Sequence, residues 1–249
     1  MSIFLLKFLA GAAGIASMTA AVERGDLDEA ARQGALAGPD VVVQALRAKV
    51  RSTVLAGIVA APATEDRAEL LPALAKVASG PDRRTAIPAA RAATAIAIQL
   101  ARHDLADDLA PDDIQTWRAT FEHLALAPGR PIEVGAAALA TAAALAHVLD
   151  PRALGYDLTR ALADPDPELR IAAVALVPRP APGALFAAIA PAVGDPDDAV
   201  AFAAAQTICA DATDDPAAVK GALGTTGATQ IKALAKAHPA AKELARCSK

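Results

Sequence analysis

The second half of the chain repeats itself at a step of 31 residues. An apolar helix pattern, a break and a second apolar helix pattern occupy 154–177, and the same succession occupies 185–208. Apolar residues recur three and four positions apart in each arm, which predicts amphipathic α-helices that bury one stripe on a neighbour. Two helices and their linker recurring at one spacing predict an array of stacked helical hairpins.

The break between the two helices has a clear physical basis. It reads Asp164-Pro165-Asp166-Pro167 in the first copy and Asp195-Pro196-Asp197-Asp198 in the second. Proline lacks an N–H group and clashes with the preceding turn, so it ends one helix and suits the first turn of the next. Aspartate beside it accepts the free N–H groups of the new helix, and its charge suits the positive end of the helix dipole.

Weaker copies of this pattern lie upstream and downstream. Residues 70–78 precede Gly80-Pro81-Asp82 and a long helix to about Arg102, and 112–127 pairs with 132–149. Gly38-Pro39-Asp40 precedes a further predicted helix with four apolar positions, Val42, Leu46, Val50 and Leu55. A last short pair is predicted at 217–223 and 228–237, with a terminal helix behind it. The breaks are irregularly spaced in the N-terminal half.

Composition supports a helical class throughout. Alanine accounts for 70 of the 249 residues, whereas aromatic residues make up only 3%. Alanine is the best helix former and is small enough to let helix axes approach closely. The β-branched and aromatic residues that strands favour are scarce. The chain is therefore predicted to be all-α.

The two clear copies resemble HEAT repeats. In that family a helix ends in an apolar pair, an Asp-containing turn follows, and the second helix opens with an aliphatic-Arg-x-x-Ala core, as in Leu169-Arg170-Ile171-Ala172-Ala173. The resemblance implies a right-handed α-α superhelix (solenoid) of hairpins over 25–249, clearest at 65–102, 151–180 and 182–211, with a C-terminal cap at 215–249. In the second copy Ala201 replaces the arginine, which puts a continuous Asp/Arg ladder in doubt.

The N-terminus and the cysteines bear on the compartment. Residues 1–24 are apolar and are open to three interpretations: a buried first helix, a signal peptide ending in the small residues of 16–21, or a membrane anchor that carries Lys7. Cys209 and Cys247 are a disulfide pair if the chain is exported and free thiols if it is not. A cytoplasmic location is predicted, with export or a periplasmic location as the alternative.

No residue pattern points to catalysis, a cofactor or a metal. His103, His123, His147 and His238 are widely separated and have no zinc-site spacing. Five aspartates, Asp104, Asp107, Asp108, Asp112 and Asp113, lack the spacing of a calcium loop and are interpreted as a loop and a helix start. The glycines Gly221, Gly224 and Gly227, with Thr225 and Thr226, are interpreted as an inter-helix turn rather than a phosphate loop. Glu122-His123 near Trp117 and Tyr156 is not interpreted as an acid–base group, and Trp117 with Phe121 has core spacing.

Charge narrows the choice of partner. The net charge of −4 argues against a general nucleic-acid binder, and the basic clusters Arg47-Lys49-Arg51 and Arg83-Arg84-Arg91 are interpreted as solvated helix faces. The predicted function is a non-catalytic scaffold that binds a protein or peptide through the concave face formed by the alanine-rich second helices. The alternatives are an enzyme accessory subunit or lyase, since phycobilin lyases use HEAT-like repeats, and a nucleic-acid-binding protein, as in the HEAT-like alkylpurine glycosylases. No membrane partner is expected unless residues 3–21 are an anchor.

Overall fold

The computed structural model describes residues 3–102, 109–179, 183–210 and 216–247. All regular elements in these ranges are helical, so the all-α prediction is confirmed. Short 3-10 helices occupy Ala61–Ala63, Arg67–Leu70 and Ala190–Gly194. In chain order the α-helices are α1 (Ile3–Glu23), α2 (Leu27–Ala37), α3 (Pro39–Leu46), α4 (Arg51–Ala60), α5 (Leu71–Ala78), α6 (Arg83–Arg102), α7 (Pro111–Ala125), α8 (Ile132–Leu149), α9 (Leu158–Leu162), α10 (Pro167–Ala175), α11 (Gly183–Ile189), α12 (Asp198–Ala210), α13 (Pro216–Ala237) and α14 (Lys242–Cys247).

The chain divides into two compact units, Met1–Val148 and Leu149–Lys249. In the first unit α1 packs on α2, α3 on α4, and α5 on α6. Corresponding helices of successive pairs also touch. Among the first helices the contacts are α1 with α3, α3 with α5, and α5 with α7. Among the second helices they are α2 with α4, and α4 with α6. The Thr94 hydroxyl continues the second row, since it donates to the Ala137 carbonyl of α8 over 2.9 Å. We call α4, α6 and α8 the second-helix row of this unit.

The second unit has the same order of contacts. Helix α9 packs on α10, and α10 packs on α12. Helix α11 and the 3-10 helix Ala190–Gly194 pack on α12 and α13, and α14 closes the end against α12 and α13. Phe186, Ile189 and Ile208 are fully buried in this packing.

The two Asp-Pro breaks form matching hydrogen bonds. Asp164 accepts the Asp166 N–H at 3.0 Å, and its equivalent Asp195 accepts the Asp197 N–H at 2.9 Å. Asp166 then caps α10 by accepting the Glu168 N–H at 3.0 Å. Asp197 does the same for α12, accepting the Ala199 N–H at 3.0 Å. The predicted capping role of these aspartates is confirmed.

The single helix expected over Val42 to Leu55 is wrong. Helix α3 ends at Leu46 and α4 begins at Arg51, so Val50 lies in the turn with 61% of its surface exposed. Gly57 permits the close packing of the two helices, because a Cβ atom there would lie 3.0 Å from the Leu46 backbone nitrogen and 3.1 Å from the Ala45 Cβ. The chain turns so that the glycine face of α4 packs closely on the end of α3.

The predicted pair 217–223 and 228–237 is present as the two helical halves of α13, which are separated by a kink. Gly224 has a φ of 56° and is the only non-helical position within α13. Glycine adopts this left-handed conformation without a steric penalty. The turn predicted over 221–227 is therefore confined to one residue, and the helix resumes directly after it.

Two apolar helices bear on the membrane question. Helix α1 packs on α2, α3 and α4, and its Met18 and Ala21 side chains are fully buried. Helix α8 is long and apolar enough to cross a membrane, and 44% of its 18 residues are buried in the protein. Val134, Leu139 and Leu145 are among them. A core helix meets the same length and composition test, and the burial of these side chains identifies α8 as one.

Candidate interaction surfaces

Ion pairs link successive second helices near their N-terminal ends. In the first unit Arg51 pairs with Asp82 at 3.1 Å, and Arg83 pairs with Glu133 at 3.1 Å. In the second unit Arg170 donates to both carboxylate oxygens of Asp195, at 2.8 and 3.0 Å, and to the Asp164 carbonyl at 2.8 Å. The expected Asp/Arg contact therefore exists between the two clearest repeats. Ala201, buried in α12, has no side chain that could extend it.

Most of the side chains that α6 exposes are arginines. We define the arginine face as the exposed residues of α6, which are Arg83, Arg84, Arg91, Ile98 and Arg102. Arg84, Arg91 and Ile98 follow each other at intervals of seven residues, which is two helical turns, so they lie along one line. Arg84 forms no ion pair with any residue that the structure describes.

Arginines outnumber carboxylates around this face, where Asp82 directly precedes α6, pairs with Arg51 and accepts the Arg84 backbone N–H at 3.1 Å. Helices α4, α6 and α8 together contain five arginines and one carboxylate, Glu133. A hydrogen bond from its own backbone N–H lowers the pKa of Glu133, and the charges of Arg83 and Arg91 lower it further. The first helices of the same pairs, α3, α5 and α7, are acidic, since together they contain four carboxylates and two permanently charged cations. The second-helix row is therefore basic, although the net charge of the whole chain is −4.

Alanine makes the helices beside the arginine face smooth. Ala136, Ala140 and Ala143 of α8 and Ala95 of α6 are half-buried and leave no long side chain above the surface. Leu55 and Val59 of α4 are also half-buried and add aliphatic surface on the other side. Another helix can approach such a surface closely, with the arginines beside it.

A cleft of about 540 Å³ lies between α5 and α7. Leu71, Ala75, Phe121 and Leu124 form its buried apolar floor, and half-buried Trp117 is a wall. The exposed residues of its rim are Pro72, Lys76, Ser79, Thr116, Thr120 and His123. We call this the α5–α7 cleft. The interpretation of Trp117 and Phe121 as core residues holds for Phe121, whereas Trp117 is half-exposed in the cleft.

The other sequence candidates do not converge. Glu122 and His123 lie on α7, whereas Tyr156 belongs to the other unit, where its hydroxyl donates to the Ala173 carbonyl and burial raises its pKa. Asp112 and Asp113 lie in the first turn of α7, as predicted. Asp104, Asp107, Asp108 and His103 lie outside the described residues. Within the described part of the chain no three His, Cys, Asp or Glu side chains are grouped as a metal site would require.

One arginine in each of the two basic clusters, 47–51 and 83–91, forms an ion pair. Arg51 and Arg83 are held in ion pairs, and Arg47 and Lys49 are exposed in the turn between α3 and α4. The interpretation of Arg83-Arg84-Arg91 as a solvated helix face rests on the total charge, since acidic residues elsewhere in the chain balance these arginines. The signal that could have revealed the arginine face is the absence of Asp and Glu from 83–102, read together with the predicted row of second helices.

Cys209 and Cys247 form a disulfide that joins α12 to α14. Their Cα atoms are 5.3 Å apart, within the usual range for such a bond.

No protein-family model matches the chain. No curated protein is significantly similar to it in sequence.

Proposed function

We propose that this chain is a non-catalytic, HEAT-like helical-repeat scaffold, and that it binds an acidic segment of another protein on its arginine face. The observation that supports this most strongly is the charge of the second-helix row, with five arginines against one carboxylate in an acidic chain. The proposed superhelix is supported by the stacking of corresponding helices and by the Arg170–Asp195 contact between repeats. In such a superhelix the second helices line the concave side.

The proposed partner segment is an amphipathic helix with one acidic edge. Its apolar side would lie on the alanines of α6 and α8, and its carboxylates would meet Arg84 and Arg91. Guanidinium groups pair with carboxylates through two parallel hydrogen bonds, which adds orientation to attraction. Arginine is also enriched in protein interfaces, where it supplies much of the binding energy.

The test selects helical peptides from a displayed library on the wild-type chain and on the double variant Arg84→Glu/Arg91→Glu. We expect the wild type to enrich acidic amphipathic peptides whose affinity falls as salt rises, because exposed charge pairs are screened. The double variant should bind them at least tenfold more weakly. The control is Arg152→Glu/Arg160→Glu, an equal change of charge at exposed arginines of the other unit, which should bind as the wild type does.

Three outcomes would contradict the proposal. Peptides without acidic bias, or equal loss of binding in both double variants, would remove the arginine face from the interaction. Salt-dependent binding of duplex DNA that Arg84→Glu/Arg91→Glu abolishes, without peptide binding, would assign the same face to nucleic acid instead.

The compartment remains a prediction, and the disulfide favours the alternative to the cytoplasm. Structural disulfides persist in oxidising compartments and are rare in a reducing cytosol. Free thiols are blocked at lysis, and the denatured protein is then reduced and its thiols are titrated. Two newly released thiols support export, and none supports a cytoplasmic location.

A further inference from the structure

The α5–α7 cleft has the size and lining of a small-molecule site. Its volume of about 540 Å³ lies inside the range of roughly 300–1,000 Å³ typical of ligand pockets. The floor is apolar and already buried, and Trp117 offers a broad aromatic wall. An elongated apolar body would cover this floor and leave its polar end at the rim.

The charge at the rim of the cleft indicates which head group a ligand would carry. Among the residues that the structure describes, Lys76 is the one permanently charged residue lining the cleft, and none of them lines it with a carboxylate. The rim hydroxyls already donate their hydrogens to backbone carbonyls, Ser79 to Lys76 over 2.9 Å and Thr116 to Asp112 over 2.8 Å. Thr120 donates to the Thr116 carbonyl over 2.9 Å. The Lys76 ammonium group is therefore the main donor left for an incoming head group, with the His123 imidazole beside it on the rim.

We propose that the α5–α7 cleft binds an apolar molecule with a single anionic head group, of the class of long-chain carboxylates. The chain lies on Leu71, Ala75 and Phe121 against Trp117, and the carboxylate meets Lys76. This site is independent of the proposed peptide function, because α5 and α7 form it and α6 carries the arginine face.

The sequence provides a built-in reporter for this site. Trp117 is the only tryptophan of the chain, so its fluorescence reports on the cleft alone. The full-length protein is titrated with dodecanoate and dodecyltrimethylammonium below their critical micelle concentrations, with dodecanol below its solubility limit, and with butanoate as a short-chain control. We expect a saturable fluorescence change with dodecanoate, affinity roughly three- to fivefold weaker for dodecanol, as suits one exposed charge pair, and none with butanoate.

The variant Lys76→Met keeps the apolar stem of the side chain and deletes its charge. It should make dodecanoate and dodecanol bind equally, while the far-ultraviolet circular dichroism stays unchanged. The matched control is Lys232→Met in α13, which should retain the wild-type preference.

Each contrary outcome is decisive. No saturable response to any twelve-carbon ligand would refute a site for an apolar chain. Tighter binding of dodecyltrimethylammonium than of dodecanoate would show that the hydroxyl oxygens of the rim, rather than Lys76, choose the head group. An unchanged carboxylate preference in Lys76→Met would equally overturn the role of this lysine.

Discussion

Gly34 lies where helices α1, α2 and α4 of the first unit pack closely together. A Cβ atom at this position of α2 would be 2.1 Å from the Ala60 Cβ and 3.1 Å from the Ala60 Cα. It would also be 3.2 Å from the Met18 sulfur of α1. The absence of a side chain at Gly34 is what lets three helices meet here.

We predict that Gly34→Ala destabilises the protein by about 1–3 kcal/mol, because the helices must separate to admit the methyl group. Gly221→Ala is the matched control, since a Cβ atom there meets nothing within 4 Å and alanine is the better helix former. It should leave the stability unchanged or raise it by up to about 1 kcal/mol. Urea unfolding measures both, and equal midpoints for the two variants would contradict the crowding at Gly34.

The Arg170–Asp195 pair is the most buried ion pair among the described residues, with side-chain exposures of 11% and 10%. Burial raises the pKa of Asp195, but the hydrogen bonds from Arg170 and from the Asp197 backbone outweigh it and lower the pKa below its ordinary value of 3.8. A carboxylate with a lowered pKa stabilises the folded state above its unfolded-state pKa. That contribution is lost as the pH falls through the folded-state pKa.

Arg170→Met is expected to cost about 2 kcal/mol at neutral pH, because it leaves the Asp195 carboxylate buried without its partner. The difference from the wild type should shrink as the pH falls through the lowered pKa of Asp195 in the folded state, because the carboxylate is then protonated. Arg51→Met is the control, since the Arg51–Asp82 side chains are 53% and 43% exposed and such pairs contribute roughly 0–1 kcal/mol. Denaturant unfolding at pH 7 and at successively lower pH, down to the acid unfolding of the wild type, measures this, and a pH-independent difference would argue against the ion pair.

At the scale of the elements, the disulfide holds the last helix in place. Helix α14 has six residues, too few for an isolated helix to be stable in water, yet its Leu244 is fully buried. The bond closes a loop between cysteines 38 positions apart, which reduces the entropy of the unfolded chain.

Cys209→Ala/Cys247→Ala should therefore lower the stability of the second unit by about 4 kcal/mol, by the chain-entropy estimate. It should also free α14 for proteolysis at its basic residues Lys242 and Arg246, while the first unit keeps its protection. Trypsin digestion followed by intact mass measures this. Equal resistance of the oxidised wild type and the double variant would show that packing alone retains α14.

The elements differ in how far the sequence predicted them. The bounds of α6, α8 and α10 follow from Gly80-Pro81-Asp82, Pro131 and Asp166-Pro167, because proline and aspartate act on the residues beside them. The break between α3 and α4 has no proline or glycine within 47–50, and it escaped prediction. It depends on the contact of Gly57 with Leu46, which the local pattern does not contain.

At the scale of the whole molecule, each compact unit has its own core. Phe121, Leu139 and Leu145 are buried in the first unit, and Phe186, Ile189 and Ile208 in the second. We predict that fragments 1–148 and 149–249 each fold, because the division leaves both cores within one fragment. Circular dichroism and cooperative thermal melts of each fragment test this.

The control division cuts between Gly194 and Asp195, which separates Arg170 from its carboxylate partner and splits the hairpin of α11 and α12. Fragment 195–249 should lack a cooperative transition. Failure of both fragments of the 148/149 division to melt cooperatively would mean that the units are not independent folding units.

The sequence by itself determined the helical class, the hairpins of the second half and the capping of their helices. These features depend on propensity, on helical periodicity and on residues adjacent in the chain. Only the tertiary structure decided the turn between α3 and α4, the pairing of Cys209 with Cys247, the α5–α7 cleft and the basic second-helix row. Each of these joins residues that are distant in sequence or sums charges over neighbouring helices, so it exists only once the helices have packed.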